Sequence, residues 1–111
     1  MDLAAGITQQ DIEMFLQETE EQLQLLDEDI VRLEMEESNS GLLQEIFRAA
    51  HTLKGSSAML GHRRMAEMAH AMENVLDGLR QGTRAVNPEL VEELRNGLDS
   101  LKSLKEELVP Q

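Results

Sequence analysis

The sequence predicts an all-α protein folded as an antiparallel, up-down four-helix bundle. Three observations carry that prediction. Apolar residues recur in alternating steps of three and four along almost the whole chain, the period of one face of a helix. The periodic segments are separated by short polar or glycine-containing turns, which force neighbouring helices to run antiparallel. The chain has only two prolines and almost no β-branched runs, so little in it favours strands.

The first segment is expected over about residues 8–36. Its apolar face reads Ile12, Leu16, Thr19, Leu23, Leu26, Ile30 and Leu33, with Thr19 the one polar member. Thr8 is placed to cap it, with Asp11 in the acidic first turn. The run Glu37-Ser38-Asn39-Ser40-Gly41 then reads as a polar turn. A second helix is expected over 41–60, with Leu43, Ile46, Ala50, Leu53, Ser57 and Leu60 inward and Gly61 as its terminator. The third, over 64–81, presents Met65, Met68, Met72, Val75 and Leu79 and ends at Gly82. Methionines at that spacing are read as packing. Asn87-Pro88 opens the fourth, over 88–108, since asparagine caps well and proline fits the first helical position. Its inward face is Val91, Leu94, Leu98, Leu101 and Leu104.

With 111 residues the chain is one domain. No cysteine means no disulfide and no thiolate chemistry, as suits a reducing cytoplasm. No apolar run approaches a membrane span, and a formal charge of -12 opposes nucleic acid and anionic lipid alike. The reading is therefore a cytoplasmic module without nucleic-acid or membrane partners, itself monomeric. Its Met1 start and the Val109-Pro110-Gln111 end fit the N-terminal module of a longer protein.

Charge is distributed unevenly. Residues 11 to 37 hold eleven of the 22 acids, most of them read as a solvated face. Between Glu45 and Glu67 there is no acid, and Arg48, Lys54, Arg63 and Arg64 all fall there. Such a basic island on an acidic protein suggests an anion or an acidic partner. At its centre is His51, on the margin of the inward face, with the cation Lys54 one turn later. Gly55 follows in mid-helix, where glycine costs about 1 kcal/mol relative to alanine. Either packing requires it, or its bare backbone lets another molecule reach the imidazole. Ser56, Ser57 and Ala58 keep the same surface low. On the third helix His70, Glu73, Asp77 and Arg80 form a stripe beside the core face. Across an antiparallel pair Glu73 can meet His51, fix its tautomer and leave the other ring nitrogen as a nucleophile. Spacing permits this pairing and does not require it.

The run Phe47-Arg48-Ala49-Ala50-His51-Thr52-Leu53-Lys54-Gly55-Ser56-Ser57 resembles the signature of histidine phosphotransfer (HPt) domains. The run His70-Ala71-Met72-Glu73-Asn74-Val75-Leu76-Asp77 is similar to a second signature, that of the N-terminal phosphotransfer domain of chemotaxis kinases of the CheA type. Ser56-Ser57 departs from many CheA relatives, which carry smaller or apolar residues there. The resemblance implies that His51 is the phospho-accepting residue, that Glu73 activates it, and that Lys54 and His70 complete the polar network. It implies that Gly55 gives partners access, with Arg48, Ser56, Ala58, Arg63 and Arg64 as candidate docking positions. The implied partners are the ATP-binding domain of a histidine kinase and a CheY-like or CheB-like receiver. ATP would be used by that separate domain, and no cofactor or metal is expected in this one. His62 matches neither motif and reads as a loop residue. Two alternatives from other classes are a helical interaction module without chemistry and a metal–carboxylate bundle built on Glu67-x-x-His70. The second lacks another Glu-x-x-His copy.

Overall fold

A computed structural model describes residues 3–36 and 39–109. These form four helices and no strand: α1 (Gln9–Met35), α2 (Ser40–Leu60), α3 (Arg63–Gln81) and α4 (Pro88–Glu106). Each helix packs on its two neighbours around a ring, α1 on α2 and α4, α3 on α2 and α4, in a body of 43 × 22 × 21 Å. This is the expected up-down bundle, with bounds within two residues of those read from the sequence. Glu37 and Ser38 of the predicted turn, and Pro110 and Gln111 at the end, lie outside the described residues.

The helix ends follow from local chemistry. The Asp11 N–H donates to Thr8 Oγ1 at 3.1 Å and the Thr8 N–H to Asp11 Oδ2 at 3.0 Å, a reciprocal capping box. Asn39 and Asn87 accept from the backbone N–H groups of Leu42 and Leu90, with Pro88 in the first turn of α4. Gly61 and Gly82 close α2 and α3 at φ of 86° and 77°, the left-handed region that a side chain disfavours. Gly61 is needed twice over. A Cβ there would lie 2.3 Å from the Ala4 backbone nitrogen, which crosses this turn and donates to Leu60 O at 2.9 Å.

The structure adds to the reading of His62. It does lie in the two-residue connection between α2 and α3, as read, but it is buried there and caps α3: Nδ1 accepts from the Met65 N–H at 3.2 Å. Burial holds its pKa below the ordinary histidine value, which suits an acceptor nitrogen. The core also differs in detail from the expected faces. Phe15 and Leu42 are buried where Leu16 and Leu43 are half-buried, and Ala69 and Leu76 are buried where Met68, Val75 and Leu79 are half-buried. On α3 the small Ala69 is fully buried, while Met68, Val75 and Leu79 pack against the core from half-buried positions.

One acid of the α1 run is not solvated. Asp29 is 3% exposed, and its Oδ2 is buried without a hydrogen-bond partner among the described residues. Burial, with the Glu45 carboxylate beside it, pushes its pKa up to about 6, despite Arg32 at 3.9 Å. A raised acid favours the protonated fold, so this stability is present below the unfolded value of 3.8 and is lost as pH rises through about 6. The loss is on the order of 3 kcal/mol by pH 7. Asp29→Asn should therefore raise the unfolding free energy at pH 7 by about 1–2 kcal/mol. Urea unfolding of both proteins at pH 5 and pH 7 checks this; an unchanged pH dependence would show that Asp29 is ionised in the fold at little cost.

Candidate functional site

The site is built across the seam between α2 and α3. On α2, His51 and Lys54 are one turn apart; on α3, Glu73 faces both from a nearly buried position, its side chain 12% exposed. His51 Nδ1–H donates to Glu73 Oε2 at 2.6 Å, and Lys54 Nζ donates to Glu73 Oε1 at 2.8 Å. Each carboxylate oxygen thus has one partner. Burial alone would push the Glu73 carboxyl up, but the hydrogen bonds and charges of Lys54 and His51 outweigh it and hold the pKa below the usual carboxylate value. An ionised carboxylate only accepts. It therefore keeps the proton on Nδ1 and leaves the lone pair on Nε2, at the opposite edge of a side chain that is 64% exposed. The arrangement is a nucleophilic nitrogen of fixed tautomer, presented outward.

His70 does not join this network. It is exposed, and among the described residues it makes no hydrogen bond to His51, Lys54 or Glu73. The basic island is divided in the same way. Arg48 is exposed on the helix that carries His51, whereas Arg63 and Arg64 lie past the end of α2, about 14 Å further along the bundle. Both arginines occupy the first turn of α3, where positive charge opposes the helix dipole; Arg64 is offset by Glu107 at 3.6 Å.

Gly55 has no packing explanation. A Cβ built on it meets nothing within 4 Å, so the surface beside His51 is low and open. Ser56 turns its hydroxyl back to Leu53 O at 3.4 Å, and Ala58 is exposed. Two neighbours share the faces read from the sequence, Phe47 with His51 and Arg80 with Glu73, but carry no role there. The Phe47 ring stacks on His51, with centroids 6.3 Å apart and planes 11° from parallel, and the Arg80 guanidinium lies over the Phe47 ring at 4.2 Å. The four-residue step from Phe47 to His51 was visible; that Arg80 reaches Phe47 from α3 was not.

Comparison with known proteins agrees with this geometry. The family model of the Hpt domain matches residues 12–104. Among curated proteins, the chemotaxis protein CheA of Listeria monocytogenes is 44% identical over 81 residues, covering 73% of this chain and 13% of that protein. CheA of Bacillus subtilis is 37% identical over 98 residues, covering 88% and 15%. The chain thus spans only a small part of these relatives' length. Among solved structures, the CheA phosphotransferase domain from Thermotoga maritima superimposes with a TM-score of 0.88 at 31% identity, covering 95% of this chain and all of that one. A match running from the first turn of α1 to the last turn of α4 takes in the whole bundle: the chain belongs to the Hpt domain family, and within it resembles the phosphotransfer domain of CheA.

Proposed function

We propose that the chain is a phosphoryl relay of chemotaxis signalling, acting in the cytoplasm. The ATP-binding domain of a CheA-type kinase brings the γ-phosphoryl group to His51. The Nε2 lone pair forms the new N–P bond as the bond from phosphorus to the ADP oxygen breaks. The proton on Nδ1 stays shared with Glu73, whose charge offsets the imidazolium that develops. An aspartate of a CheY-like or CheB-like receiver then attacks the same phosphorus and leaves the imidazole neutral. The domain contributes position and tautomer control to a loose transition state, and ATP binds elsewhere. The observation that carries this reading is the His51 ring, locked at Nδ1 by an ionised, lysine-held carboxylate and open at its other edge.

Incubation with a CheA-type ATP-binding domain and γ-labelled ATP tests it. The label should be alkali-stable and acid-labile, and should leave when a receiver is added. Acid-stable label, or none, would refute the relay.

Gly55 supplies a second test, of partner approach. Gly55→Ala should stabilise the helix by up to about 1 kcal/mol, since the new methyl meets nothing. Gly55→Gln should instead slow transfer to the receiver while thermal melting stays near the parent value. Normal transfer by Gly55→Gln would remove the close-approach explanation.

A further inference from the structure

The network at Nδ1 leaves one feature of His51 unaccounted for. A single hydrogen bond fixes where one edge of the ring is held, yet it permits the plane to swing about that contact. With the side chain 64% exposed, few neighbours limit the swing. In-line transfer needs the Nε2 lone pair aimed along the line of attack, so ring orientation matters as much as tautomer.

From the contacts around the ring we infer that Phe47 and Arg80 are positioning residues for His51, acting on its face as Glu73 acts on its edge. Phe47 precedes His51 by one turn of α2, and its ring lies 11° from parallel to the imidazole. Phe47 is only half-buried, so the core alone does not fix it. Arg80 does: its guanidinium sits 4.2 Å from the Phe47 centroid, within the range of a cation–π contact, while it pairs with Asp77 Oδ1 at 3.9 Å. Glu73 and Arg80 are seven residues apart on α3 and share one face of it. One helix therefore grips the imidazole twice, directly through a carboxylate and indirectly through an aromatic ring. Arg80 adds no net charge to the imidazole's own contacts. Its effect is transmitted by Phe47, so loss of either residue should give the same defect.

The inference rests on the relay reading, but its first test does not need a kinase. Carbon relaxation at His51 Cε1, measured by NMR, reports how tightly the ring is held. Phe47→Leu and Arg80→Gln should both lower that order, whereas Phe47→Tyr and Arg80→Lys, which keep a ring and a cation, should largely restore it. The His51 tautomer should stay on Nδ1 in all four, because Glu73 sets it. In phosphorylation by a CheA-type ATP-binding domain, the Leu and Gln variants should lose about twofold to tenfold in kcat at unchanged KM. The double variant should lose no more than the worse single one. A ring equally ordered in Phe47→Leu overturns the positioning role. So does a defect confined to KM, which would make these residues docking contacts. Absence of phosphate on His51 in the parent protein would overturn the relay reading alone, since the relaxation arm would still report on the stack.

Discussion

In His51→Gln, incubation with a CheA-type ATP-binding domain and labelled ATP should leave the chain unphosphorylated, with label at background. The variant removes the nucleophile and little else. A glutamine amide at this position still offers an N–H to Glu73 Oε2, so the carboxylate keeps a donor and its Lys54 contact at 2.8 Å. Circular dichroism should show the bundle intact. Neither remaining histidine can take over. His62 is 1% exposed and its Nδ1 is committed to the Met65 N–H. His70 is exposed, but no carboxylate fixes its tautomer among the described residues. Mass spectrometry under alkaline conditions, which preserve N–P bonds, should find one phosphate on the parent protein and none on the variant. Phosphate persisting in His51→Gln would move the acceptor to another residue.

What could be read in advance divides along a physical line. Features set by a few adjacent residues are legible: the cap at Thr8 with Asp11 in the first turn, the caps at Asn87, Gly61 and Gly82, and the four periodic segments. Features that depend on which helix lies next door were legible only in part. The α3 stripe was correctly placed at Met65 and Met72, yet the buried edge turned out to be Ala69 and Leu76, because neighbour distance decides which side of a wide stripe is covered. His62 was hidden for the same reason. It is buried at the α2–α3 connection, where the backbone at Ala4 arrives from the other end of the sequence and bonds to Leu60 O. Asp29 reads like the other acids of α1, yet in the fold it is buried, with Glu45 of α2 beside it. At the site, spacing allowed His51 and Glu73 to meet, and the α2–α3 register brings them to 2.6 Å. The same register leaves His70 outside, although its motif suggested otherwise.

Glu73→Ala should slow phosphorylation of His51 by about tenfold to a hundredfold without abolishing it. Orienting and proton-holding roles are typically worth about 10²–10⁴ in rate. This one falls at or below the low end, because the imidazole remains a competent nucleophile once the carboxylate is gone. What the variant loses is control. Without an acceptor at Nδ1, the neutral ring reverts toward the Nε2–H form, and the lone pair points inward for much of the time. The developing imidazolium also loses its counter-charge. Nitrogen NMR of the imidazole distinguishes the tautomers directly: Nδ1–H should dominate in the parent protein and decline in Glu73→Ala. Stability should change little. Two charge-assisted hydrogen bonds disappear, but so does the cost of burying a carboxylate, and the net loss should be about 1 kcal/mol. Its pH dependence has a definite sign. The folded pKa of Glu73 is lowered, so the stability it contributes is present above the ordinary value of 4.5 and is lost as pH falls through the lower folded value. Parent and variant should therefore differ in urea unfolding at pH 7 and converge in acid. A tautomer ratio identical in the two proteins would mean that Glu73 does not control His51, and the activating role would pass to another residue.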